Sequence, residues 1–273
     1  MAPQRRLMIF SLGFVCIAAL AIPAARHASQ WMAISALERD TVYMEIDPPY
    51  VSRWIDAEWP HKLFGTVRAV ELEGRATVQD ARCLRSLPGL QVLIFDGAAD
   101  EAWSLLPTQL TELHLTRDEN GLSPTALSQL AELRLLKRLS IHSGPPCDDA
   151  VVQALKKLPR LRVLEFGGVT VPPAQLQELL ADHPQLEEFA IRGTASVTDA
   201  DIEVIARHSH ISKLSLQENL RLTEACLPSL AEMKPLRELF LDLNNNEDSV
   251  REWFLKHRPD LKVNPPLELI YSP

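Results

Sequence analysis

The sequence predicts an α/β solenoid: a right-handed horseshoe with a parallel sheet on its concave face, helices on its convex face and a transmembrane helix before it. Three observations predict this. An apolar-x-apolar phrase recurs along the chain at a nearly constant step. A helical apolar pattern lies between successive phrases. An apolar stretch whose single polar side chain is Ser11 occupies residues 7–25.

Aligned on its first residue, the phrase begins at Val70, Leu93, Leu113, Leu139, Leu164, Phe189, Leu214 and Leu239. Its second apolar residue is Leu72, Phe95, Leu115, Ile141, Phe166, Ile191, Leu216 or Leu241. Three positions upstream stand Val67, Leu90, Leu110, Leu136, Leu161, Leu186, Ile211 and Leu236. All 24 positions are apolar, which makes the repeat the strongest signal in the chain. Residues two apart on a strand share a face, so both members of each phrase point into the core.

Nine positions before each phrase, Leu84, Leu130, Leu155, Leu180, Ile205 and Leu230 mark the inner stripe of a return helix. The short second repeat has Ser104 there, which predicts a turn or 3₁₀ piece. Crossovers between parallel strands are right-handed. Strands lie about 4.8 Å apart while helices need about 8–10 Å, so the stack curves with its sheet inside. Helix starts are marked by Thr198-Asp199, Thr223-Glu224, Asp80, Asp148 and Asp149, and by Ser123-Pro124 and Pro172-Pro173.

Four segments follow: 1–29 a signal anchor, 30–64 a capping segment, 65–247 about eight repeats, and 248–273 a C-terminal cap and tail. Residues 7–25 extend about 28 Å as a helix, close to a hydrocarbon core of roughly 30 Å. Arg5 and Arg6 hold the N-terminus inside, and Arg26, His27 and Trp31 supply an interfacial anchor. The repeats then lie outside the cytoplasm on a single-pass anchor. Ala19-Leu20-Ala21 offers a cleavage site, which leaves a secreted or periplasmic product as the alternative. In the cap, residues 30–39 read as a short helix and the alternation of Val42, Met44 and Ile46 as a half-buried strand. Trp54, Trp59 and Phe64 are suited to cover the first repeat. At the far end Asp248 begins a helix over 249–257, Trp253 seals the core, and Leu261-Lys262-Val263 is a last half-phrase.

These residues resemble the leucine-rich repeat family over about residues 64–263. The Val197-Thr198-Asp199 opening, with Ile202 and Ile205 behind it, is similar to repeats of F-box-type adaptors and of small bacterial signal-anchored repeat proteins. The anchor and lead-in resemble the bacterial group, and no F-box pattern is visible. The family usually places Asn or Cys five residues after the first leucine. Asn219 and Asn244 comply; Arg75, Ala98, Asp118, Gly144, Val169 and Thr194 do not. The resemblance implies a non-enzymatic protein-interaction module, with no catalytic residues and no cofactor.

The residues themselves point the same way. A net charge of −8 argues against a nucleic-acid partner. There is no CxxC pair, phosphate-binding glycine loop, GxSxG or HExxH, and Cys147 takes the slot filled elsewhere by Val197 and Leu222. His208 and His210 lie at a helix end, where histidine meets carbonyl groups. The concave face supplies the candidate binding residues. Inside the phrases these are Glu71, Ile94, His114, Glu165 and Phe240; just after them come Glu73, Asp96, His142, Arg192, Gln217 and Asp242. The two columns hold five acids and one base, which suits a basic or polar protein partner, with Ile94 and Phe240 as exposed anchors. Two alternatives carry different chemistry. One is a structural envelope protein that self-associates; the other is a metal-dependent site where His114, His142 and Glu165 converge.

Overall fold

Period-two burial at each phrase produces a strand, and the strands stack in chain order. The computed structural model describes residues 29–37, 41–47, 66–116, 122–208, 210–243 and 247–264. The expected membrane helix at 7–25, the aromatic residues Trp54, Trp59 and Phe64, Asn244 and the tail beyond 264 lie outside the described residues. Among the described residues no helix is long and apolar enough to cross a membrane.

Helix α1 (29–37) and strand β1 (Thr41–Asp47) precede the repeats. The repeats run β2 (Thr66–Leu72), α2 (Val78–Arg85), β3 (Val92–Phe95), α3 (Asp100–Trp103), β4 (Glu112–Leu115), α4 (Pro124–Leu130), β5 (Arg138–His142), α5 (Asp149–Leu155) and β6 (Val163–Gly167). They continue with α6 (Pro173–Asp182), β7 (Glu188–Arg192), α7 (Asp199–Ala206), β8 (Lys213–Ser215), a 3₁₀ turn (Glu224–Cys226), α8 (Leu227–Glu232) and β9 (Glu238–Phe240). Helix α9 (Glu247–His257) and β10 (Lys262–Val263) close the array.

One ten-stranded sheet takes the strands in sequence order. The first residues of the phrases pair one to one from Val70 through Leu239, and Leu239 pairs with Val263. This is a solenoid of repeats built on a parallel sheet, the fold that the leucine-rich-repeat resemblance implies. All 24 phrase positions are buried, and they join the inward helix residues in one continuous core. In the short repeat the return segment, expected as a turn or 3₁₀ piece, is the single α turn of α3, and Ser104 lies in the turn that follows it. Trp103, beside the exposed Ser104, fills the space a helical leucine occupies elsewhere, 5.7 Å from the Phe95 ring.

Both ends are covered. β1 pairs antiparallel with β2, and Met44 and Ile46 pack on the core with Ile34 and Leu37 of α1. At the other end Val250 and Phe254 of α9 fill the core, while Trp253 is half-buried and stacks on His257. α9 starts ahead of the expected cap, so Asp248 sits inside its first turn.

Between repeats, the residue four places after six of the eight phrase starts takes the left-handed conformation: Gly74, Gly97, Ser143, Gly168, Gly193 and Glu218. That turn aims backbone N–H groups at the next repeat, as in Ser143 to Gly167 O (2.8 Å), Gly168 to Arg192 O (2.8 Å) and Gly193 to Gln217 O (3.1 Å). Asn219 works as the resemblance implies, its Nδ2 donating to Ile191 O at 2.7 Å and Leu216 O at 2.9 Å. In the non-compliant repeats Ala98 and Val169 are buried, and Arg75 Nη2 donates to Ala98 O at 2.9 Å.

Helix starts are stapled in two ways. Asp80 and Asp201 complete capping boxes with Thr77 and Thr198. Asp199, in the first turn of α7 as expected, also accepts from Thr223 N at 2.9 Å and Thr223 Oγ1 at 2.6 Å in the following repeat. Helix ends are stapled as well. His183 Nε2 lies 3.0 Å from Leu155 O, His208 Nε2 lies 2.9 Å from His183 O, and Arg258 donates to the carbonyls of Ala231, Met233 and Leu236. These side chains add bonds to carbonyl groups at and just beyond the helix C-termini, where those of Leu155, His183 and Met233 also accept a turn N–H.

Two substitutions separate core burial from turn geometry. Leu164→Ala should lower the unfolding free energy by about 2–5 kcal/mol, and Gly168→Ala by about 1 kcal/mol, because its methyl group meets only an ordinary contact with Ser143 N at 3.9 Å but its backbone is left-handed. Urea denaturation of the two variants measures both losses.

Candidate functional site

The concave face carries three rows of side chains between and beside the buried phrase residues. The middle row runs Glu71, Ile94, His114, Ser140, Glu165, Ala190, Ser215, Phe240. The row after it includes His142, Gly167 and Arg192. The row before it runs Ala69, Val92, Glu112, Arg138, Val163, Glu188, Lys213, Glu238, Lys262. The sequence signal for this last row is the alternation of sign at Glu112, Arg138, Glu188, Lys213, Glu238 and Lys262, interrupted by Val163.

Arg138 is the hub of the face. Its guanidinium lies 3.7 Å from Glu112, 3.0 Å from Glu165 and 3.5 Å from Glu188, passing over the short Val163 side chain to reach the last. Arg192 also meets Glu165 at 3.3 Å, and Lys213 meets Glu188 at 3.9 Å. Further along, Lys262 meets Glu238 at 3.4 Å. The centre of the face therefore holds three acids against three bases. Of the acids expected in two columns, Glu165 is paired with bases, while Glu71, half-buried, and Glu73, exposed, stand in the first repeat. Ion pairs this accessible add little stability. Their effect is to hold long side chains in fixed positions.

Most of the candidate residues are already engaged. Glu165 accepts from Arg138, from Arg192 and from the buried Ser140 hydroxyl at 3.3 Å. His114 Nε2 lies 3.8 Å from Glu112. That contact, reinforced by Arg138 and Arg68, holds the Glu112 carboxyl below its usual range against the opposing effect of burial. The His142 ring lies over Gly167, where an added Cβ would fall 2.2 Å from Nδ1. Burial, then the charge of Arg192, pushes its pKa down, while Glu165 pulls the other way. His114, His142 and Glu165 thus face separate partners and do not assemble a donor set. Among the described residues no group of three His, Cys, Asp or Glu is placed to hold a metal ion.

Two acids of the downstream row have structural partners. Asp96 accepts from the Thr116 hydroxyl, and Asp242 accepts from the left-handed Glu218 N–H at 2.7 Å. Ile94 is half-buried. Phe240, expected as an exposed anchor, is 8% exposed, with Lys213 Nζ 5.8 Å from its ring centroid. The thiols of Cys147 and Cys226 are buried and pushed up to about 12 by that burial, which leaves them inert.

One part of the face is open. Over β6–β9 a depression of about 200 Å³ has Ala190, Ser215 and Phe240 among its lining residues. Glu165, Glu188, Arg192, Lys213 and Gln217 also line it. Small residues in the middle row create the hollow, because neighbouring strands carry long side chains on either side of Ala190 and Ser215. Ser215 Oγ is buried and has no hydrogen-bond partner among the described residues.

No protein-family model matches the chain, and no curated protein matches it. Similar solved structures include human 5T4 (Wnt-activated inhibitory factor 1, trophoblast glycoprotein), 23% identical over 65% of this chain and 69% of that chain, with a TM-score of 0.47. An internalin (inlF) from Listeria monocytogenes is 18% identical over 58% of this chain and 56% of that chain, with a TM-score of 0.37. The repeat assignment stands on the register of the chain itself.

The electrostatics of the face can be checked at His142. Its titration midpoint should lie below the ordinary 6.5, rise in Arg192→Gln and fall further in Glu165→Gln. The folded chain binds this proton less readily than the unfolded chain. Acidification below about pH 6.5 therefore costs stability, and the loss stops growing below the folded midpoint. An NMR pH titration of the imidazole resonances reads the midpoint directly.

Proposed function

We propose that the chain is a non-enzymatic scaffold that binds a protein partner through the concave face of its repeats. One observation carries this reading. On a sheet whose central charges are paired with one another, the depression over β6–β9 combines apolar lining with charges held in place by their ion pairs. Well-packed hollows of this kind, rather than evenly solvated surface, are where interfaces concentrate their binding energy.

The finer reading is display outside the cytoplasm on a membrane anchor formed by residues 7–25. It is supported by the apolar run behind Arg5 and Arg6. It is also supported by helix α1, which follows that run and leaves Trp31 47% and Met32 60% exposed. A tryptophan beside an apolar segment suits the membrane–water boundary.

Partner capture tests the assignment of the face. After crosslinking in intact cells, Ser215→Trp, which places a ring in the depression, should lose the captured partner. Gln177→Trp on the convex helix α6 should keep it, with both variants melting as the parent does. Capture that survives Ser215→Trp and is lost in Gln177→Trp moves the site to the helices.

A further inference from the structure

The helix-to-strand turns of two neighbouring repeats concentrate cations. Residues 131–137, between α4 and β5, and 156–162, between α5 and β6, hold Arg134, Lys137, Lys156, Lys157, Arg160 and Arg162 against one acid, Glu132. All six bases are exposed. The two turns lie side by side, with Arg162 N donating to Lys137 O at 2.8 Å. Lys156 meets Asp182 at 3.0 Å and Arg162 meets Glu187. Arg134, Lys137, Lys157 and Arg160 have no ion-pair partner among the described residues. Leu135, 38% exposed, stands among them. Basic side chains complement helix C-termini, but that effect fades beyond the last turn and does not account for Lys137, Arg160 and Arg162 at the strand entries. Arg68, at the position of Lys137 in the first repeat, and Arg82 and Arg85 in the last turn of α2 continue the same edge. The opposite edge, where strands end and helices begin, carries Asp96, Asp100, Asp148, Asp149, Asp199 and Glu224. A chain of net charge −8 thus gathers its cations along one rim, which suits an extended anionic partner.

The place of the array on its chain selects the anion. On the membrane-anchor reading above, residues 26–28 alone separate the apolar run from α1, and they span at most about 10 Å. The array therefore begins within roughly one Debye length of the lipid headgroups, where their charge is felt. Some surface of it faces them. The central charges of the concave face are paired with one another, and the acidic rim is repelled by an anionic bilayer. Each lysine or arginine brought to such a surface is attracted to it. Resting on the anchor reading, we infer that the array lies edge-on against an anionic phospholipid surface through Arg134, Lys137, Lys157 and Arg160, with Leu135 entering the headgroup layer. The concave face then stands upright from the membrane and stays open to a partner.

The full-length chain reconstituted in lipid nanodiscs tests this, with discs of phosphatidylcholine alone or mixed with phosphatidylglycerol. A benzophenone amino acid is placed at Pro159, exposed between Lys157 and Arg160, or at Ala200, exposed on the acidic rim, and lipid adducts are counted by mass spectrometry. Position 159 should give adducts on the anionic discs and several-fold fewer on the neutral ones, and position 200 none on either. Arg134→Gln combined with Lys137→Gln should cut the yield at 159 roughly tenfold while melting as the parent does, because two surface cations are lost. Equal yields on both discs, adducts from 200 in place of 159, or a yield unchanged in the double variant overturns the inference. So does a protein or nucleic-acid adduct in place of lipid when position 159 is irradiated in intact cells. An alkaline carbonate wash reads the anchor separately. A chain that stays in the discs but gives no adduct at 159 keeps the anchor and loses the docking; a chain that washes out loses both.

Discussion

The parallel register of the phrases is the constraint on which everything else depends. A single repeat cannot bury its own apolar face, and its strand cannot satisfy its own backbone groups. Val70 must therefore lie beside Leu93, Leu93 beside Leu113, and so on to Leu239 and Val263. Once that stacking is set, the details between repeats follow from it. The left-handed turns aim N–H groups forward, Asp199 reaches into the next repeat, and His183, His208 and Arg258 reach back to the previous one. The array needs a cover at each end for the same reason, and α1 with β1, and α9 with β10, supply it.

The same constraint limits where function can reside. Phrase residues and inward helix residues are consumed by the core, so the sheet offers a partner only the side chains between and beside them. Most of these are occupied with each other. Arg138 binds three carboxylates, Glu165 is shared by two guanidinium groups and a serine, and Asp242 replaces a backbone carbonyl. Paired charges of this kind neutralise the face and hold its walls in place. What they leave open is the hollow over Ala190 and Ser215, where two short residues follow one another on adjacent strands.

Fold and site were not equally legible in the sequence. The repeat positions, the strand faces and the inner helix stripe depend on spacing and apolar character alone, and all of them were readable. Trp103 escaped because a single large ring, one place before Ser104, substitutes for a leucine in a shortened helix. Phe240 occupies a concave-row position, yet Lys213 lies over its ring, and no single-column reading contains that contact. Ser143 and Glu218 adopt a conformation usually given to glycine. The column of Gly74, Gly97, Gly168 and Gly193 at the same offset was the available clue. The charged row from Glu112 to Lys262 was missed because a single acid or base on each strand looks like solvated surface until the strands are placed side by side. Glu165 and His142 stood out for their chemistry, but which groups engage them is decided by neighbours more than twenty residues away in sequence.

The central claim is that the inner face of the sheet, over β6–β9, is the face that meets a partner. A photo-crosslinking amino acid placed at Gln217 on that face, and separately at Gln177 on the helical face, tests it most directly in intact cells. The account predicts one discrete adduct from position 217 and none from position 177. An adduct from 177 with none from 217 would contradict it.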